Sequence, residues 1–223
     1  MINIGHYTLI AELFEYPDKG FPKNVAVVQQ LLEEAYPESA EVLKPFTEFT
    51  SKATIIEMQE LYTRSFDVQA VTTLDLGYVL FGDDYKRGEL MVNLNREHRD
   101  AQNDCGNELP DHLTNMMRLL PKMQDEYIIG ELVEKVLAMS LRKMIREFDP
   151  NHIKAKDKVY KKHHKTIIER LDDYYTIYQK PLEALYEVLK TDFDFKEEEE
   201  KKATSDFLRS INTEIEIEKE ETT

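Results

Sequence analysis

Apolar residues recur along most of this chain at spacings of three and four, the mark of helices that bury one face. Tyr7, Ile10, Ala11 and Phe14 form a first stripe, stopped before Pro17. Val25, Val28, Leu32 and Ala35 form a second, with Pro22 in its opening turn and Pro37 beyond its end. Val42, Phe46 and Phe49 predict a short third helix disturbed by Pro45. Thr54 and Glu57 have the spacing of a capping box ahead of Met58, Leu61 and Tyr62. Leu74, Gly77, Tyr78 and Phe81 share a face, with Thr72 or Thr73 as N-cap and Gly82 as stop.

Asp83 is the expected cap of a helix bearing Met91, Leu94 and His98, and 103–107 reads as a loop. Pro110 and Asp111 suit the first turn of a helix carrying Leu113, Met116, Met117 and Leu120, which Pro121 ends or kinks. Leu132, Val133, Val136, Leu137, Leu141 and Met144 predict a long helix ending near Pro150. Tyr160, Ile167, Leu171, Tyr174, Tyr175 and Tyr178 predict another, and Leu182, Leu185, Tyr186 and Leu189 a last. Strand alternation is nearly absent, weak only at Ile211–Glu218. The expectation is an all-α protein: a single-domain bundle of roughly 8–11 helices over 1–191, then an acidic, mobile tail over 192–223.

Composition agrees: 7 glycines in 223 residues leave little for turn-rich architecture. A net charge of −15 argues against nucleic-acid binding, which relies on phosphate neutralisation. It suits solubility, or attraction of a basic partner. The tail holds 12 acidic and 5 basic residues, nearly half of that excess. Cys105 is the lone cysteine, so no internal disulfide forms, which fits a reducing compartment. No signal peptide or membrane span is read, so the expected location is cytoplasmic.

Candidate chemistry concentrates between Glu60 and Leu120, where aromatic and acidic residues meet at helix boundaries. The candidate ligand contacts are Tyr62, Asp67, Tyr78, Asp83, Arg87, Glu108, Asp111 and His112. The acids serve equally as helix caps, Arg87 as an internal ion pair, and the rings as core. Met116 and Met117 fit either the core or an adaptable apolar surface. His98, Cys105 and His112 lie seven apart, which matches no usual zinc pattern, so no metal is expected. The lysine-rich run Lys154–Lys165, with His163 and His164, reads as a solvated face or a dock for an acidic surface or an anionic cofactor. No nucleophile accompanies His112, and neighbours such as Asp111 and His112 diverge by about 100° on a helix, which disfavours a hydrolase.

Several of these segments resemble, in order, the NarJ/TorD-type molybdoenzyme maturation chaperones (nitrate reductase delta-subunit-like). Glu108-Leu109-Pro110-Asp111-His112 is similar to that family's E-x-P-D-H signature. Leu13–Asp18 resembles its N-terminal helix end, Tyr62–Asp67 its Tyr-x-x-x-Phe-Asp motif, and Gly82–Leu94 its Gly-x-x-x-x-Arg-Gly-x-x-Met segment. Ser65 and Thr114 depart from the common Leu and Pro. The resemblance covers about residues 10–120, closest to the delta-type branch. It implies an all-helical, non-enzymatic chaperone without a cofactor of its own, monomeric or dimeric. Its partner would be the apo catalytic subunit of a molybdopterin-dependent oxidoreductase, held by its N-terminal or twin-arginine signal peptide until cofactor insertion. The alternative reading is a helical scaffold of an unrelated assembly, in which the tail matters more.

Overall fold

The stripes become ten α-helices that lie wholly within the described residues, 4–156 and 176–195 of a computed structural model, with no β-strand among them. The fold is an all-α, single-domain bundle. α1 (Tyr7–Ile10) runs into a 3-10 turn, Ala11–Phe14. Then come α2 (Phe21–Ala35), α3 (Pro37–Thr50), α4 (Ile55–Phe66), α5 (Leu76–Phe81), α6 (Tyr85–Asp100) and α7 (Leu113–Leu119). α8 (Glu126–Leu132) and α9 (Met139–Glu147) are joined by a π-helical turn, Val133–Ala138, into one long helix. Residues 150–156 are helical, and α10 spans Gln179–Phe193. The helix expected through Tyr160–Tyr175, His163, His164 and the tail from 196 lie outside the described residues.

Local chemistry explains most boundaries. The Thr54–Glu57 capping box is present in both directions, 2.7 Å and 3.2 Å. Gly82 ends α5 at φ 61°, a conformation other residues adopt at a cost, and donates to Tyr78 O. α3 is longer than expected, running through Pro45, which sits on its exposed face. Three boundaries differ from the sequence reading. Asp84, not Asp83, caps α6, accepting from Lys86 N at 2.9 Å. Asp75, not Thr72 or Thr73, precedes α5. α7 begins at Leu113 with His112 before it, because the backbone there pairs elsewhere: Leu76 N donates to Asp111 O (3.0 Å) and Leu113 N to Leu74 O (2.9 Å).

α3 packs most broadly on α2 and α10, and α10 also meets α9. Buried Gln29 of α2 donates to Ala40 O and accepts from Thr47, so the α2–α3 seam carries satisfied polar links. The core centres on Tyr178, whose ring lies 5.1 Å from both Phe46 and Phe66 and 5.8 Å from Tyr62. Such edge contacts add about 0.5–1.5 kcal/mol each beyond area burial. Met116 and Met117 are fully buried, which settles them as core.

The predicted start of the tail is corrected too. α10 continues to Phe193, and Asp192 is built into the fold. It accepts from Tyr7 (2.7 Å), Tyr36 (2.8 Å) and His6 (2.9 Å), a clasp joining α1, α2's end and α10. Burial alone would raise the Asp192 carboxyl, but these three donors hold it below its ordinary value. No helix among the described residues is long and apolar enough to cross a membrane.

Candidate functional site

Three chain segments converge on one rim, each offering an acid followed by an exposed apolar residue: Glu15-Tyr16, Asp67-Val68 and Glu108-Leu109. Tyr62 lies within the field of all three acids, and His112 within that of Glu15 and Glu108. The Tyr16 and Tyr62 rings meet edge to face at 5.4 Å, and the Tyr62 hydroxyl donates to Phe14 O at 3.1 Å. Burial, then the fields of Glu15, Glu108 and Asp67, push the Tyr62 phenol far above its ordinary value, so it stays protonated. His112 is buried and its Nδ1 meets Thr114 Oγ1 at 2.9 Å. Burial lowers its basicity, against the opposing pull of Glu108, Asp75, Glu15 and Asp111.

Two of the acids are placed by a helix end and the third by a loop. Glu15 closes the 3-10 turn, and Asp67 closes α4, where the Asp67 and Val68 amides both donate to Thr63 O at 2.9 Å. Gln69, at φ 47°, then turns the chain away. Glu108 rides a laced loop. Asn115 Nδ2 donates to Leu109 O (2.9 Å) and Cys105 O (3.2 Å), and Asn103 Nδ2 donates to Asn115 O (3.3 Å). His98 Nε2 donates to Pro110 O (2.9 Å), which leaves its Nδ1 to accept from Asn103 (3.0 Å). Burial lowers the His98 pKa, consistent with that neutral form.

Two of these acids are at the wrong end of a helix. A helix C-terminus carries partial negative charge, and an acid there costs a few tenths of a kcal/mol, roughly. Glu15 is offset by Arg118, which bridges it (2.7 Å) and Glu12 (2.8 Å). The Asp67 and Glu108 carboxylates hold no hydrogen bond or salt bridge among the described residues, and both are exposed. Of the two at helix ends, only Asp67 breaks the local rule without compensation.

The other candidates divide. Asp111 and Arg87, read as ligand contacts, are corrected: both are committed inside the protein. Asp111 is 0% exposed, accepting from Gly77 N (3.1 Å) and Arg87 Nε (3.3 Å). Arg87 also pairs with Asp75 (3.2 Å) and lies 5.4 Å from the Tyr78 ring centre, so Tyr78 belongs to this inner knot. Burial, then the Asp111 charge, raise the Asp75 carboxyl, while Arg87 opposes them. Gly77 is required here, since a Cβ would come within 2.6 Å of Asp111 Oδ2. The backbone bridge between Asp75 and His112 ties knot to rim. Asp83 is exposed at the far end of α5 and joins neither group.

Sequence reasoning missed Glu15, Tyr16, Asp75 and Arg118. The signal for the first two was an acid and an aromatic between a helical stripe and Pro17. Asp111 and His112 face different partners, so they do not form an acid–base pair. Among the described residues, no group of three or more His, Cys, Asp or Glu is arranged to hold a metal ion. A cleft of about 430 Å³ lies elsewhere, between α3, α9 and α10, lined by residues including Val42, Ile145 and Tyr186. In comparisons with known proteins, no family model matches the chain and no curated protein matches it either.

Proposed function

We propose that this chain is a cytoplasmic maturation chaperone of the NarJ/TorD type. Its ligand is the N-terminal peptide of the apo catalytic subunit of a molybdenum-containing oxidoreductase, held before cofactor insertion, assembly and export. The observation that carries this reading is the rim: Glu15, Asp67 and Glu108 are each followed in the chain by an apolar residue, Tyr16, Val68 and Leu109, which are 55%, 45% and 44% exposed. A leader offering arginines beside apolar residues complements that alternation. The motifs bearing the resemblance supply all three segments: Leu13–Asp18, Tyr62–Asp67 and Glu108–His112.

Burying roughly 300 Å² of apolar surface contributes about 7 kcal/mol gross. Charge-assisted contacts at exposed acids add up to about 1 kcal/mol each. Association and ordering costs remove much of this, leaving roughly micromolar affinity, suited to a ligand that must be released.

The test uses a synthetic peptide with two adjacent arginines followed by an apolar helix-forming stretch. The triple variant Glu15→Gln/Asp67→Asn/Glu108→Gln is expected to bind it at least about tenfold more weakly by calorimetry, with a native circular-dichroism spectrum and a cooperative melt. Binding equal to the parent's would overturn the assignment. Asp111 is left intact, because changing it disturbs the fold.

A further inference from the structure

The rim already holds one guanidinium. Arg118 reaches out of α7, its side chain 28% exposed, and places one terminal nitrogen on Glu12 and the other on Glu15. Glu12 is fully engaged, since its second oxygen accepts from Asn24 Nδ2 at 3.1 Å. Glu15 holds only Arg118 among the described residues, is 41% exposed, and lies within electrostatic reach of both Tyr62 and His112. This is the cation-recognition geometry a ligand arginine would need, already occupied from within.

We propose that Arg118 is an intramolecular competitor for the cation of the ligand, and so limits how tightly the rim binds. The inference rests on the peptide-binding reading above. A ligand guanidinium that engages Glu15 exchanges one arginine–carboxylate pair for another, and the net gain from Glu15 is small. Neutralising residue 118 turns that exchange into a new pair.

The experiment measures binding of the same two-arginine peptide to the full-length parent, Arg118→Gln, Glu15→Gln and the double variant. Arg118→Gln is expected to bind about fivefold more tightly at low salt. The gain disappears when Glu15 is also Gln, and fades near about 1 M salt, where the Debye length is about 3 Å. If the parent binds while a natively folded Arg118→Gln binds equally or more weakly, or the gain survives without Glu15, the competitor role is overturned and the peptide-binding reading stands. If neither binds, both fall. Should Arg118→Gln fail to fold, the Arg118 Nε–H NMR signal of the parent, assigned with Arg118→Lys, decides. It is expected to shift as peptide is added, and a bound peptide that leaves it unmoved overturns the proposal.

Discussion

The clasp at Asp192 and the rim at Tyr62 use the same materials, a carboxylate set among tyrosines and a histidine, and finish in opposite states. In the clasp both carboxylate oxygens are satisfied, by Tyr7, His6 and Tyr36, at a side chain only 9% exposed. At the rim, Asp67 and Glu108 stay in solvent with no ionic partner among the described residues. The comparison separates two uses of an acid in this fold: one carboxylate is spent on holding the helices together, and two are left available to solvent.

Breaking the clasp carries the largest expected effect. Asp192→Ala leaves buried Tyr7 without its acceptor and should cost about 2–4 kcal/mol in urea unfolding, while peptide binding at the rim is retained. A smaller loss, about 1–3 kcal/mol, is expected for Gly77→Ala, whose Cβ meets Asp111, Arg87 and Leu90 and pries at the knot behind the rim. A drop in melting temperature accompanied by weaker peptide binding would show that the knot positions His112.

Acid titration sharpens the contrast. His112 and His98 have folded values below the ordinary histidine value, so the folded state resists protonation. Stability is therefore lost first as pH falls below about 6.5. Asp192 has a depressed folded value, so its contribution is complete above about 3.9 and disappears only as pH falls toward that lower value. Two separated declines in chemical-denaturation midpoint are expected, and His112→Gln should flatten the first only. The smallest effect has the opposite sign. Asp67→Asn removes an acid from the C-terminal end of α4 and should stabilise the protein by about 0.3 kcal/mol while weakening binding. A destabilised Asp67→Asn would mean the carboxylate serves the fold.

The helices were largely legible because each buries one face, so the stripe and the element coincide. α4 appears with the capping box that Thr54 and Glu57 announced. The long helix through Val133–Met144 was legible as one run, but its π turn was not, because one inserted residue scarcely disturbs a stripe. Asp83 and Asp84 are both plausible caps, and only backbone geometry chooses between them. Asp111 was misread for a deeper reason. Its burial follows from backbone pairing of Leu74–Leu76 with Asp111–Leu113, a contact between distant segments that no local pattern encodes. The rim was half legible: Asp67 stands at a visible helix end and Glu108 beside a Pro-Asp-His run, whereas Glu15 enters from a segment about fifty residues from Asp67.

The lacing of the 103–110 loop by Asn103, Asn115 and His98 has a consequence for how a ligand arrives. The backbone entropy of the Glu108 loop is surrendered when the polypeptide folds, so under the proposed function a peptide binding there would order side chains and not the loop itself. The same lacing would make such a site selective: a peptide whose cation fell one residue out of step would find no loop free to follow it.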